Sequence, residues 1–180
     1  MRYLITGAAG FIGFHLANKL SKNKKNLILG IDSINNYYST KVKNLRLNIL
    51  KKNKNFIFKK INLENKKKTS NVIKKFKPDT VYHLAGQPGV LYSFKNPKSY
   101  KKNNINATNT IASACKSLDV KNFIYASSSS IYGDQKKFPI QENFKENLKN
   151  YYAITKFKCE KILKKVFLYS NTNYVMFRFF

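Results

Sequence analysis

Arg2-Tyr3-Leu4-Ile5-Thr6 runs straight into Gly7-Ala8-Ala9-Gly10-Phe11-Ile12-Gly13. The first five residues are mostly apolar or β-branched and predict a short buried strand; residues 14–21 predict a helix. A strand, a glycine turn and a helix in that order make a phosphate site. Gly7 permits the tight turn, Gly10 lets backbone approach a pyrophosphate, and Gly13 lets the helix pack close on the strand. The helix N-terminus adds amides and a partial positive charge.

The same alternation continues outward. Residues 26–32 form a second strand ending in Asp32. A carboxylate there, about twenty residues after the glycines, accepts from the ribose hydroxyls of a dinucleotide and repels a 2′-phosphate, which favours NAD over NADP. Further strands are expected at 55–59, 80–84, 120–126 and 173–179, with helices at 41–52, 64–76, 96–117 and 151–170. No repeat or low-complexity linker interrupts them, so the expected fold is α/β, a doubly wound parallel sheet. On the last helix, Ile162, Val166 and Tyr169 are expected to face the sheet. His83 falls within a strand and reads as a core residue rather than a base.

Tyr152-Ala153-Ile154-Thr155-Lys156 carries candidate chemistry. Residues four apart on a helix share a face, so phenol and amine point the same way. A nearby ammonium favours the phenolate and draws a tyrosine down from about 10 towards working pH, making it a general base. The serine run Ser127-Ser128-Ser129-Ser130 stands at the C-terminal edge of the fifth strand, where open α/β sheets place ligands.

Taken together, TGAAGFIG, GIDSINNYY, VYHLAGQPGV, YASSSSIYG, YAITK and the terminal FRFF resemble the extended short-chain dehydrogenase/reductases, in particular the NAD-dependent epimerase/dehydratase family. The resemblance implies NAD held by Gly7, Gly10, Phe11, Ile12, Gly13, Asp32, Ser33, Asn62, Leu63, Leu84, Ala85, Gly86, Asn104, Tyr152, Lys156 and Phe180. It implies Ser128, Tyr152 and Lys156 as the catalytic set, and Ser93, Ser128, Ser130 and Tyr152 as contacts to a nucleotide-sugar substrate. Lys156 would both lower the Tyr152 pKa and bond the nicotinamide ribose. Asn62 stands where relatives usually carry Asp, and an amide can still bond an adenine edge. Leu91 stands where uronate and hexosamine epimerases often carry Arg. Sugar dehydratases have Thr-Asp-Glu at the positions of Ser128, Ser129 and Ser130; no carboxylate is present here, which points to 4-epimerisation. UDP-glucuronate is favoured among UDP-hexoses. The alternatives are a dehydratase or reductase of the same family and a non-catalytic NAD-binding regulator. Relatives often dimerise through two long helices, here about 96–117 and 151–170.

The 180 residues suit one domain. Family members are longer, and the chain stops on an apolar run, so a truncated NAD-binding domain lacking its substrate lobe is expected. Net charge is +27, nearly all of it lysine, because Arg occurs only at positions 2, 46 and 178. With asparagine and isoleucine also plentiful, codon bias accounts for the balance, and the Lys runs read as solvated faces rather than a specific nucleic-acid site. Cys115 and Cys159 show no ligand spacing, so no metal is expected. With no apolar run near 18 residues and a strand beginning at residue 3, a cytoplasmic protein off the membrane is expected.

Overall fold

The computed structural model describes residues 1–180. Six strands form one parallel sheet: β1 (Arg2–Thr6), β2 (Leu27–Asp32), β3 (Phe56–Lys60), β4 (Thr80–His83), β5 (Asn122–Ser128) and β6 (Asn173–Phe179), in the order β3-β2-β1-β4-β5-β6. Chain order reverses between β1 and β4, so the crevice opens at their C-terminal ends.

Strand alternation builds two cores. Leu4, Leu29 and Ile31 turn to one face, under α3 (Lys66–Phe76), α6 (Ala107–Lys116) and α7 (Tyr151–Phe167). Ile5 and Ile28 turn to the other, under α1 (Phe11–Ser21) and α2 (Thr40–Lys51). That second face is covered only as far as α1 and α2 reach: on β6, Val175, Phe177 and Phe179 stay about half exposed, while Tyr174 and Met176 pack inward.

The long helix expected at 96–117 is broken. α4 (Val90–Lys95) ends at Asn96, whose side chain accepts from Ser99 N at 3.2 Å to start α5 (Pro97–Tyr100). A π-helical turn, Lys101–Asn106, then joins α5 to α6. In the second half of α7, Cys159, Glu160, Leu163 and Phe167 are buried and Val166 packs partly against the core as expected; Ile162 lines an outer groove, and Tyr169 lies beyond the helix and is 90% exposed, contrary to expectation. Asn150 caps α7 by accepting from Ala153 N at 2.8 Å, which places Tyr152 in its first turn.

His83 is a core residue. Its Nδ1 lies 2.8 Å from Thr6 Oγ1 and its Nε2 3.0 Å from Thr108 Oγ1, both buried. Burial, and then the charge of Lys156, push its pKa down to about 3. The unfolded imidazole titrates near 6.5, so between those values the unfolded chain takes up a proton that the folded chain refuses. Stability present above pH 6.5 is therefore lost as pH falls towards 3. Urea midpoints measured from pH 7 to 4 will fall steeply, and less steeply in His83→Gln, where an amide replaces the titrating ring.

Candidate active site

The turn after β1 is backbone packed on backbone. Gly7 holds φ 70°, and a Cβ there would meet Ala85 N at 2.9 Å. A Cβ on Gly13 would sit 2.2 Å from Gly7 O, which is why α1 reaches the strand so closely. Gly10 caps α1 with no side-chain bond, and no acid lies in the first turn. The opening amides of α1, which lack intrahelical acceptors, are left to a ligand with their partial positive charge intact. Gly13→Ala must push α1 off the turn, at a cost of about 1–3 kcal/mol. Its melting temperature will drop by roughly 2–12 °C; an unchanged value would mean the turn yields freely.

Asp32 closes β2 with both carboxylate oxygens engaged, accepting from Ala9 N at 3.1 Å and Ile34 N at 2.8 Å. It ties the glycine turn to the second strand. Three further side chains join it in the crevice, Tyr38 from the loop after β2 and Lys43 and Arg46 from α2. Arg46 donates to Ala9 O at 3.3 Å and to Tyr38 Oη at 3.2 Å, while Lys43 donates to Asn35 O at 2.6 Å and lies 4.2 Å from the Tyr38 ring centre. The signal for Lys43 and Arg46 was their spacing in the first two turns of α2, but in so lysine-rich a chain it looks like any solvated face.

Across the crevice, β5 runs two residues further than expected, because Ser127 and Ser128 pair with Arg178 and Phe179 of β6. Ser128 Oγ accepts from Ser130 N at 3.2 Å and Ser130 Oγ at 2.9 Å. Tyr152 faces Ser128. Burial raises the Tyr152 pKa, and the hydrogen bond with Ser128 opposes it. Lys156 is 6% exposed, donates to Ala126 O at 2.7 Å, and stands 5.9 Å from the Tyr152 ring centre. Burial lowers its pKa to about 8. The expectation that Lys156 draws the tyrosine down is corrected in this state: the ammonium is spent on a strand carbonyl, and burial holds the phenol up.

One cleft of about 730 Å³ gathers Gly7, Gly10, Phe11, Ile12, Gly13, Asp32, Ser33, Asn62, Leu63, Leu84, Ala85, Gly86, Ser128, Tyr152, Lys156 and Phe180. Three expected contacts do not line it. Asn104 is 1% exposed; its Oδ1 accepts from Gln87 N at 2.6 Å, and its Nδ2 donates to Thr155 Oγ1 at 3.1 Å and Gln87 O at 3.3 Å. It clamps the loop after β4 to α7, and its neighbour Asn103 lines the cleft instead. Ser93 is buried and donates to Val90 O at 2.6 Å. Ser130 bonds Ser128, while Ser127 and Ser129 reach the cleft.

Glycine turn, strand-ending acid and a Tyr-x-x-x-Lys helix around one crevice define a Rossmann-type domain of the short-chain dehydrogenase/reductase kind. The chain belongs to the NAD dependent epimerase/dehydratase family, whose model matches residues 3–180. It is 44% identical over 158 residues to protein CapI of Staphylococcus aureus, covering 87% of this chain and 46% of that protein. With the UDP-glucuronate 4-epimerase of Thermodesulfobacterium geofontis it shares 38% over 143 residues, 79% of this chain and 44% of that one. The crystal structure of UDP-glucuronic acid 4-epimerase from Bacillus cereus, in complex with UDP-glucuronic acid and NAD, superposes with a TM-score of 0.92 at 32% identity, over 99% of this chain and 56% of that one. The chain thus spans about half the length of the curated relatives it matches. No helix is long and apolar enough to cross a membrane.

Proposed function

We propose that residues 1–180 form the NAD-binding part of a nucleotide-sugar 4-epimerase acting on UDP-glucuronate or a related UDP-hexose. The observation that carries this reading is Tyr152 and Lys156 on one face of α7, opposite Ser128 and across the crevice from the glycine turn.

The residues present suit NAD. The glycine turn has no room for side chains and offers the amides of α1 to a pyrophosphate; Asp32 stands where the adenosine ribose would lie, and Lys156 at the nicotinamide end. When bound, NAD would supply a hydride acceptor and donor for C4 of the sugar. The protein's own work is proton transfer and orientation: Tyr152 takes the proton from the 4-hydroxyl and later returns it, Ser128 shares that hydrogen bond, and Lys156 keeps positive charge beside the phenolate as it forms. Serines rather than carboxylates at 128–130 favour epimerisation over dehydration. We place the protein in the cytoplasm. We also assign self-association to the groove between α6 and α7, lined by Ile105, Ile162 and Val166; sedimentation will return twice the chain mass if so.

The test is direct. Heat-denatured full-length protein should release NAD, and incubation of the native full-length protein with UDP-glucuronate should give its C4 epimer by chromatography. Conversion of UDP-glucose or UDP-N-acetylglucosamine in its place would reassign the sugar, and no turnover of any with NAD bound would favour the regulator.

A further inference from the structure

One charged side chain near the cleft has no part in proton transfer. Glu160 lies one turn beyond Lys156 on α7 and is 2% exposed. Its Oε1 accepts from Ser127 Oγ at 2.6 Å and Arg178 Nε at 3.0 Å, and its Oε2 from Arg178 Nη2 at 2.8 Å. Ser127 and Arg178 are register partners across β5 and β6. A single carboxylate thus ties the helix that carries Tyr152 and Lys156 to the strand that carries Ser128 and to its neighbour.

We propose that Glu160 is a positioning residue of this site: it keeps the Lys156 ammonium charged inside the protein and holds Ser127 and Arg178 in place beside the reacting serine. The inference rests on the epimerase reading for what Lys156 does, though not for whether Glu160 sets its charge.

The surroundings of Lys156 leave few other sources of negative charge. β5 contributes the Ala126 carbonyl and the Tyr125 ring, whose centre is 5.0 Å away. β4 contributes His83, neutral above pH 3 or so. The loop after β4 brings Gly86, whose Cβ position is 3.5 Å from Nζ. α7 brings Tyr152, Cys159 and Glu160, and burial holds the phenol and the thiol in their neutral forms. β6 brings Arg178, a cation already committed to Glu160. Burial drives Lys156 towards the neutral amine, and Cys159 and then Glu160 pull the other way; with burial holding the thiol neutral, the carboxylate is the standing negative charge of the two. Two residues on adjacent turns face the same side of a helix, so the carboxylate acts without touching substrate.

Glu160→Gln tests this because it keeps the shape and one acceptor while deleting the charge. NAD affinity of the purified protein, titrated calorimetrically from pH 6 to 9.5, should lose its alkaline limb about one pH unit lower than wild type, a roughly fivefold weakening at the wild-type midpoint that approaches tenfold above it. The pH profile of epimerisation should move with it. A profile that superimposes on wild type, with only stability reduced, overturns the proposal. Should the variant fail to fold, Lys156→Met/Glu160→Gln decides: a folded double variant supports the pairing, and an unfolded one shows that Glu160 serves only Ser127 and Arg178. A shifted NAD profile without sugar turnover would sink the epimerase reading and leave this one standing.

Discussion

Turnover of a UDP-hexose by the protein carrying Tyr152→Phe falls about 10²–10⁴-fold, the usual contribution of a positioned proton acceptor, while NAD stays bound. The substitution removes one oxygen and leaves the ring, which meets Tyr100 edge-on with centres 6.1 Å apart, so packing survives. In the structure burial lifts the phenol above its ordinary value and Lys156 titrates at about 8. Wild-type rates should therefore climb with pH as the phenolate fraction grows and stop climbing near pH 8, because the lysine loses its proton before the phenol does. Undiminished turnover in the phenylalanine variant would remove Tyr152 from the role.

The largest expected loss of stability is at Arg178. Arg178→Met deletes both bonds that the guanidinium gives Glu160, at 3.0 and 2.8 Å, and its stacking 4.7 Å from the Tyr132 ring centre. The carboxylate stays buried with Ser127 as its remaining hydrogen-bond donor. Breaking one side of such a pair costs about 3–5 kcal/mol, because the remaining charge is desolvated without compensation. Against the roughly 5–15 kcal/mol that holds a typical domain together, that is a large fraction of the whole margin. Arg178→Lys keeps the charge but not the planar fork, and should lose less. Chemical denaturation of the three proteins side by side measures the order; equal stabilities would show that the pair contributes nothing.

How much of this could be read beforehand follows from range. β1, the glycine turn and α1 were legible because the strand pattern and the glycines are contiguous, and Gly7, Gly10, Phe11, Ile12 and Gly13 all meet in the cleft. α1 nevertheless begins at Phe11 rather than Phe14, since helix geometry starts at the glycine cap before the apolar period shows. Asn104 lies off the cleft for a different reason. A long helix laid over 96–117 assigns its faces by a period of 3.6, and the π turn at Lys101–Asn106 resets that period, sending Asn104 inward to Gln87 and leaving Asn103 at the cleft. The extension of β5 to Ser128 depends on β6, some fifty residues away. Lys156 bonding Ala126 O is a tertiary choice that Tyr-x-x-x-Lys spacing cannot express. The uncovered stretch of Val175, Phe177 and Phe179 reads as an ordinary strand until one sees that no helix crosses it.

The π turn also sets a limit on what improvement of this protein could achieve. A helix with one residue too many in a single turn holds wider, weaker hydrogen bonds than its neighbours, and deleting one residue between 101 and 106 would restore regular α-helix from α5 into α6. An engineer seeking heat resistance would find such a shortening attractive. It would also rotate everything upstream by about a hundred degrees relative to everything downstream, so the asparagine that grips both the N–H and the C=O of Gln87 would let go of the loop at the mouth of the cleft. Regularity and the shape of that mouth are here alternatives set by one residue, and a thermally hardened version would be selected away from ligand retention.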